Sequence, residues 1–185
     1  MNENVFEPYP ILETELLILR QIKTEDIDGI FKFNSDVHSL KYIARDPYKK
    51  REEAEDRVKF FDKMYKEKKA VWWTFTQKKS DVLIGYGGIF EIDKTNNRAE
   101  IGYGLLPEFW GKGFISEAMN AMVDFGLNKL QVHKLYAIVD PKNVASIKIL
   151  EKNDFQREGI LHEHLFARNT YFDMCHYGRI NNTPE

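Results

Sequence analysis

The 185-residue chain has a single cysteine, so it cannot form an internal disulfide. It also lacks any run close to the ~18 apolar residues that a membrane-spanning helix needs. Its first residues have neither the basic start nor the apolar centre of a signal peptide. We therefore expect a cytoplasmic protein with no membrane partner. Cys175 lies in an alternating segment, which favours a buried strand thiol over a nucleophile.

The chain has no excess of positive charge, because 27 lysines and arginines face 29 acidic residues and leave a net charge of −2. Nucleic acids bind proteins through concentrated positive faces, so we expect no nucleic-acid partner. The basic stretches at 49–51 and 66–69 are interpreted as solvated helix ends. The close histidine pair, His162 and His164, has no cysteine at zinc spacing, so we expect no metal.

Linkers, internal repeats and low-complexity tracts are also absent from the sequence, so we expect residues 1–185 to form a single domain. Hydrophobic residues make up 43% of the chain and aromatic residues 14%. This composition is sufficient to fill a sizeable core.

The most informative stretch that is present is a glycine-rich turn within residues 107–118. Gly111 and Gly113 stand one residue apart, and the preceding residues 98–106 alternate as a strand does. Apolar residues then recur at helical spacing over 113–130. Glycines allow a ligand to approach the backbone closely, and a helix start offers unpaired N–H groups and a positive dipole end. The pattern predicts a phosphate site, although a solvated turn would use the same glycines.

The spacing of this turn disfavours two common nucleotide loops. A Walker loop needs four residues between its first glycine and a Gly-Lys pair, but Gly111 is followed at once by Lys112. A dinucleotide fingerprint needs a glycine three residues after Gly113, and Ser116 stands there. A protein that uses this loop for ATP remains an alternative hypothesis.

Periodicity predicts the remaining elements. Strands are expected at 11–22, 70–77, 83–92, 98–106, 134–139 and 171–180, and helices at 24–35, 51–68, 113–130 and 144–152. Residues 93–97 and 165–170 are predicted as hairpin turns. Trp72 and Trp73 are adjacent on a strand and must face opposite sides, so at most one is expected to reach a ligand.

Three motifs of this chain resemble those of the GCN5-related N-acetyltransferases (GNAT). They are Ile101-Gly102-Tyr103, the glycine turn at 110–113 with Glu117-Ala118, and residues 143–146. Within that superfamily, the chain is similar to the group that acetylates the N-termini of ribosomal proteins. The resemblance spans nearly the whole chain.

The resemblance implies a fold of the α/β (α+β) class. A single mixed, mostly antiparallel, twisted sheet of about six to seven strands would be flanked by about four helices. Two parallel strands at its centre would splay apart, and the gap between them would be the active site.

The resemblance also implies a binding site for acetyl-CoA as cosubstrate. Its pyrophosphate would be held by the backbone N–H groups of the loop, with the hydroxyl of Ser116 nearby, and its pantetheine arm by the central strands and Asn143. The cofactor-binding residues implied are Leu105, Trp110, Gly111, Lys112, Gly113, Phe114, Ser116, Asn143 and Ser146. Glu108 departs from the family pattern, which usually has Gln or Arg there, so it is not assigned as a ligand.

The reaction implied is direct attack of an amine on the acetyl group, which requires removal of a proton from the ammonium. Glu100, on the strand entering the cleft, is the first candidate base, although it could instead pair with Arg98 or solvent. His162, Glu163 and His164 are further candidates. Ser146 would either assist the departing thiolate or only contact the cofactor and cap a helix.

The acceptor implied by the resemblance is a primary amine, with a protein N-terminus of the ribosomal type preferred. Relatives with the same cofactor motifs acetylate antibiotics, polyamines or amino acids. A non-catalytic acyl-CoA-binding sensor on the same fold is a further alternative. We expect a monomer or a homodimer.

Overall fold

The computed structural model describes residues 1–181 and contains one eight-stranded sheet with the strand order β1-β2-β3-β4-β5-β6-β8-β7. The strands are β1 (Leu12–Glu13), β2 (Leu17–Gln21), β3 (Val71–Gln77), β4 (Leu83–Asp93), β5 (Arg98–Leu105), β6 (Lys134–Val139), β7 (Gln156–Ala167) and β8 (Thr170–Ile180). The helices are α1 (Ile27–Ser35), α2 (Arg51–Lys66), α3 (Phe114–Asp124) and α4 (Val144–Lys152). The predicted mixed sheet with four flanking helices is confirmed, with eight strands in place of six or seven.

Besides β7, whose bounds the sequence does not predict, an extra strand arises at the N-terminal end of the sheet. The sequence predicts one strand over 11–22, but the chain turns at Thr14 and forms the short antiparallel pair β1 and β2. The Thr14 hydroxyl accepts a hydrogen bond from the N–H of Leu17 and stabilises this turn. Local side-chain bonding of this kind competes with a continuous strand.

Two hydrophobic cores lie on opposite faces of the sheet. Trp73 is fully buried in the core beneath α3 and α4, whereas Trp72 belongs to the core beneath α1 and α2. The predicted opposition of the two tryptophans is confirmed. On β5, Ile101 packs into the α3 side, and Gly104 lies against Phe33 of α1 on the other side. Consecutive residues of β5 therefore face different compartments.

The helix predicted over 113–130 is regular only as far as Asp124. It continues as a π-helical turn, Phe125–Lys129, which is followed by Leu130. A Cβ at Gly126 would lie 2.9 Å from Leu135 and 3.0 Å from Ile89, so the turn packs tightly on the sheet. This close approach accompanies the wider π geometry, a feature that spacing does not reveal.

The parallel strands β5 and β6 pair over only three residue positions. The register joins Arg98 to Lys134, Ala99 to Leu135 and Glu100 to Tyr136. Beyond Glu100, β5 runs on to Leu105 paired only with β4, and β6 runs on to Val139 paired only with β8. The two strands therefore diverge and leave a gap in the middle of the sheet, as predicted.

The C-terminal hairpin is longer than predicted, because the turn placed at 165–170 contains only two residues. Arg168 and Asn169 have φ of 49° and 54°, which is the left-handed geometry of a tight hairpin turn. Cys175 lies on β8 and is buried, so the prediction of a buried strand thiol is confirmed. Among residues 1–181, no helix has the length and apolar character required to cross a bilayer.

Candidate functional site

The gap between β5 and β6 opens into a cleft of about 980 Å³. Residues from both faces of the sheet line this cleft. Asn143 and Ser146 of the α4 region lie on one side, and Phe33 and Arg57 of the α1 and α2 region lie on the other. The cleft thus passes through the sheet and joins its two sides.

The glycine loop adopts a backbone that few residues other than glycine tolerate. Gly111 has φ of 73° and Gly113 has φ of 83°, both in the left-handed region. A Cβ at either position would meet no atom within 4 Å, so the loop faces open space. Gly113 is the N-cap of α3 and provides no side-chain cap.

The N–H groups of this loop are available to a ligand. Those of residues 111–116 donate to no other residue of the described chain. With the dipole of α3, they form a site suited to an anion. The Trp110 indole donates to the Leu105 carbonyl at 2.8 Å and fixes the loop against the end of β5. Lys112 lies over the Phe109 ring at 5.4 Å.

Glu117 has a structural role that sequence reasoning did not assign. Its carboxylate accepts hydrogen bonds from the Thr14 hydroxyl at 2.5 Å and from the N–H of Leu16 at 2.9 Å. The first turn of α3 is therefore tied to the turn between β1 and β2. This contact orients the helix start that presents the loop.

The carboxylate of Glu108 is directed towards α1. It forms an ion pair of 2.5 Å with the ammonium of Lys32, and this contact lowers the pKa of Glu108. The negative charge at the unusual position is therefore neutralised within the protein. Its presence is compatible with an anion at the neighbouring loop.

The motif at 143–146 forms the start of α4, and the predicted N-cap role of Asn143 is confirmed. The Asn143 side-chain oxygen accepts a hydrogen bond from the N–H of Ser146 at 3.1 Å. Both residues line the cleft. Ser146 therefore lies on the first turn of α4 and beside the gap between the central strands.

Tyr103 belongs to the motif Ile101-Gly102-Tyr103, and its side chain lines the cleft. No role for its hydroxyl is predicted from the sequence. That hydroxyl is buried and has no hydrogen-bond partner within residues 1–181. Burial raises the pKa of Tyr103 to about 12, and the neighbouring Ser146 side chain opposes the rise. The pair therefore places two hydroxyl groups together on the α4 side.

Glu100 lies in the cleft on the face of β5 that carries Gly102 and Gly104. Burial raises its pKa to about 7, and the charge of Glu91 adds to the rise. The alternative pairing with Arg98 is wrong, because Arg98 pairs with Asp93 at 3.3 Å. Glu100 makes no hydrogen bond or ion pair within residues 1–181. A carboxyl group that titrates near neutral pH is suited to general-base catalysis.

The other candidate bases lie outside the cleft. His162, Glu163 and His164 are exposed on β7, where the pairing with β8 is irregular. His162 contacts the Asp173 carboxylate at 3.2 Å, and the N–H of Glu163 donates to the same group. Within residues 1–181, no three His, Cys, Asp or Glu side chains come together as a metal site would require.

Sequence reasoning also missed Arg45 and Arg57, which line the cleft on the α1 and α2 side. The sequence predicts only that Arg57 lies on a helix and that Arg45 lies in a connecting loop. A basic residue between Ala54, Val58 and Phe61 on the apolar stripe of α2 was the available signal. Arg57 gains a role only because the loop over 42–45 places Arg45 beside the same cleft. A sequence pattern does not reveal that these two segments come together.

A family model described as an acetyltransferase (GNAT) domain matches residues 17–156. The uncharacterized N-acetyltransferase YoaA of Bacillus subtilis is 34% identical over 169 residues, covering 91% of this chain and 96% of that protein. The matched residues 17–156 include all three motifs and the strands between them.

Solved structures with the same fold include enzymes named for different acceptors. A spermidine N-acetyltransferase from Vibrio cholerae, in complex with CoA and spermine, has a TM-score of 0.81 and 25% identity over 91% of this chain and 97% of that one. A ribosomal-protein-S5-alanine acetyltransferase from Vibrio fischeri has a TM-score of 0.79 and 22% identity, covering 95% of this chain and 100% of that one.

Proposed function

Since the chain belongs to the GNAT acetyltransferase family, we propose that it transfers the acetyl group of acetyl-CoA directly to a primary amine, the N-terminal amine of a polypeptide. The cleft carries this proposal. It connects the gap beside Asn143 and Ser146 on one side of the sheet to a carboxyl group of raised pKa, Glu100, on the other. The loop of unpaired N–H groups is fixed to the end of β5, the strand that borders this gap. A donor and an acceptor can therefore meet in the gap from opposite sides.

The residues proposed to hold acetyl-CoA are those of the loop and of the α4 start. The N–H groups of Gly111, Lys112, Gly113 and Phe114 would bind the pyrophosphate, with the Ser116 hydroxyl beside them. The hydrogen bond that the Trp110 indole donates to the Leu105 carbonyl holds the loop in place. When bound, acetyl-CoA supplies an activated acetyl thioester. Asn143 and Ser146 would contact its arm where it enters the gap.

Glu100 is proposed as the general base. An ammonium cannot attack a thioester until it loses a proton, and Glu100 is the unpaired carboxyl group on the acceptor side of β5. Its pKa of about 7 makes it a sufficient base at neutral pH without holding its proton too strongly. The base can act directly or through one ordered water.

The two hydroxyl groups on the α4 side are proposed to assist departure of the CoA thiolate. The Tyr103 hydroxyl is buried and has no hydrogen-bond partner within residues 1–181, so it is free to donate to a sulfur in the gap. Ser146 is the weaker acid, and we assign it to contact the cosubstrate.

Replacing Tyr103 by phenylalanine tests this assignment. We expect kcat to fall by about 10- to 100-fold because a donor to the leaving group is lost. We expect the melting temperature of the free protein to stay the same or rise, because a buried hydroxyl without a partner destabilises a fold. Steady-state kinetics and thermal melting measure the two effects.

Ser146→Ala is the matched control, since it removes the other hydroxyl of the pair. A smaller loss of kcat in Ser146→Ala than in Tyr103→Phe supports the proposed division of roles. Wild-type kcat in Tyr103→Phe would contradict it.

Ligand-induced thermal stabilisation tests the donor. We expect acetyl-CoA and CoA at 100 times their Kd to stabilise the protein by about 2.7 kcal/mol, whereas ATP and NAD at equal concentration leave the melting temperature unchanged. Selective stabilisation by ATP would instead support the nucleotide-binding alternative. No stabilisation by CoA or acetyl-CoA would contradict the proposal.

Thiol release in the presence of amines separates the enzyme from a sensor. Peptides with free Ser and Ala N-termini, polyamines, amino acids and aminoglycosides form a suitable panel. Release of CoA that depends on one acceptor class identifies a transferase and its substrate class. Tight acetyl-CoA binding without release for any amine would favour a non-catalytic acyl-CoA sensor.

A polyamine acetyltransferase is the second candidate, and two observations favour it. A relative that shares 25% identity is a spermidine acetyltransferase, and the acidic residues Glu91 and Glu100 line the cleft. Carboxylates would attract the cationic arms of a polyamine. Arg45 and Arg57 give the opposite end of the cleft a positive charge. This charge distinguishes a polyamine from a polypeptide as the acceptor.

A further inference from the structure

We infer that the amine acceptor also carries an anionic group, and that Arg57, supported by Arg45, binds that group within the cleft. The inference rests on the proposed transfer to an amine and deepens it, because it specifies the second functional group of the acceptor.

Arg57 lies on α2 with its guanidinium over three aromatic rings. The distances from its Cζ to the ring centroids are 4.7 Å for Phe61, 5.4 Å for Phe60 and 5.7 Å for Trp72. Its Nε is buried and has no hydrogen-bond partner in the part of the chain that the structure describes. A guanidinium keeps its charge under such conditions, so stacking alone leaves that charge without compensation.

The acidic residues near Arg57 are all engaged elsewhere. Glu53 accepts hydrogen bonds from the N–H groups that precede α2. On the same helix, Glu55 pairs with Arg51, and Asp56 pairs with Lys59. Within residues 1–181, no carboxylate lies within ion-pair distance of Arg57, whereas Arg51 and Lys59 of the same helix each have an acidic partner.

Arg45 is held beside the same cleft by a neutral residue. Its Nη1 donates to the Asn34 side-chain oxygen at 2.7 Å, and Asn34 is fixed by its bonds to Ile30 and to the Tyr86 hydroxyl. Burial lowers the pKa of Arg57, and the charge of Arg45 lowers it further. Two positive charges thus face this end of the cleft, and within residues 1–181 neither forms an ion pair with a carboxylate.

A third donor completes this end of the cleft. The indole Nε1 of Trp72 is buried and has no hydrogen-bond partner among the described residues. Arg57 and Trp72 therefore each offer a buried N–H donor that has no acceptor within residues 1–181, and the Arg45 guanidinium beside them is bonded to a neutral amide. Buried donors without partners are uncommon in folded proteins, and an oxyanion satisfies donors of this kind.

The two ends of the cleft are complementary to a molecule that carries both charges. Trp72 stacks on Phe90 with ring centroids 4.7 Å apart, and Phe90 is the β4 partner of Glu100. The aromatic wall therefore runs from Arg57 to the proposed base. An amine directed towards Glu100 would place an attached anion near the arginines, whereas a polyamine would place a second cation there.

The simplest such anion is a carboxylate, and it has two sources. One is the carboxylate of a free amino acid. The other is an acidic side chain in the first residues of a polypeptide whose N-terminal amine is the acceptor. Matched pairs of acceptors distinguish these sources from each other and from a polyamine.

The experiment measures CoA release with pairs that differ in one carboxylate. Serine is compared with serinamide, the peptide amide Ser-Asp-Gly with Ser-Asn-Gly, and spermidine is included. We expect the acid member of one pair to exceed its neutral partner in kcat/KM by about 10- to 100-fold. The pair that shows the preference identifies the source of the carboxylate.

The variant is Arg57→Met, which keeps an apolar stem against the aromatic rings. We expect it to raise KM for the preferred acidic acceptor by about 10- to 100-fold, with little change for the neutral partner or for acetyl-CoA. Lys59→Met is the matched control, because Lys59 is exposed on the same helix and does not line the cleft. We expect that control to behave as wild type.

A binding measurement separates this inference from the proposed function. N-acetylserine and the N-acetylated forms of both peptides are titrated into the CoA-bound protein by calorimetry. Arg57-dependent binding of an acidic product without any turnover would support the anion site and contradict the transferase. Turnover that prefers spermidine or neutral acceptors, unaffected by Arg57→Met, would support the transferase and overturn the anion site. Equal binding of acidic and neutral products would overturn it as well.

Discussion

Replacing Gly111 by tryptophan should lower the affinity for acetyl-CoA by about 100-fold or more. The indole would occupy the open space beside the loop, where no atom of residues 1–181 lies within 4 Å of a Cβ at this position. Calorimetric titration of acetyl-CoA measures the loss directly. Catalysis at saturating acetyl-CoA should fall less than affinity does, because Glu100 lies on the opposite side of the sheet.

The effect of bulk must be separated from backbone strain. Gly111 has φ of 73°, so any L-residue there destabilises the fold by about 1–2 kcal/mol. Gly111→Ala introduces this strain without the ring, and we expect it to retain most of the affinity. Gly159→Ala is a remote control, since a Cβ at Gly159 also meets no atom within 4 Å. Tight acetyl-CoA binding by a folded Gly111→Trp variant would refute the role of the loop.

Replacing Glu100 by glutamine should reduce kcat by about 10²- to 10⁴-fold, the usual contribution of a positioned base. Acetyl-CoA affinity should stay near wild type, because the loop and the α4 start are unchanged. In the wild-type protein, kcat/KM should rise with pH through about 7 as Glu100 ionises. Loss of that inflection in Glu100→Gln, measured from pH 5 to 9, would identify the titrating group.

Stability should follow the same ionisation in the opposite direction. The pKa of Glu100 is raised from 4.5 to about 7 in the fold, so its contribution to stability is fully present below pH 4.5 and is lost as pH rises through 7. Glu100→Gln should therefore melt at a higher temperature than wild type above pH 7, and this advantage should vanish in acid. Unchanged turnover in this variant would remove Glu100 from catalysis.

Glu91→Gln provides a matched control for the pH profile. Glu91 is the neighbouring charge that helps to raise the pKa of Glu100, and its own side chain is exposed. Removing that charge should move the inflection of kcat/KM to lower pH and preserve its shape. An inflection that does not move would indicate that another group titrates near pH 7.

The element order and the glycine loop were predictable because each rests on local pattern. Alternation located the central strands, and the residues Gly111 and Gly113 have the positive φ that a tight approach to a ligand requires. The N-cap role of Asn143 follows from one side-chain bond to a residue three positions later. These features depend on residues that are close together in the sequence, so they can be predicted from it.

The features that were missed depend on contacts between distant segments. The N-terminal strand divides because Thr14 turns the chain and bonds to Glu117, more than a hundred residues away. The pKa of Glu100 depends on burial and on Glu91 across a strand pair, and the unpaired state of Arg57 depends on where every nearby carboxylate is engaged. The spacing of residues in the sequence cannot show that a side chain is buried or lacks an ionic partner.

The three-residue pairing of β5 and β6 has a consequence for the protection of backbone amides. In an ordinary sheet the central strands exchange their amide hydrogens most slowly and the rim most quickly. Here the segments that follow Glu100 and Tyr136 border the gap, so the centre of the sheet contains two strand edges. An extended ligand arm between them would act as a missing strand, and exchange protection at the middle of the fold would then depend on occupancy of the cleft.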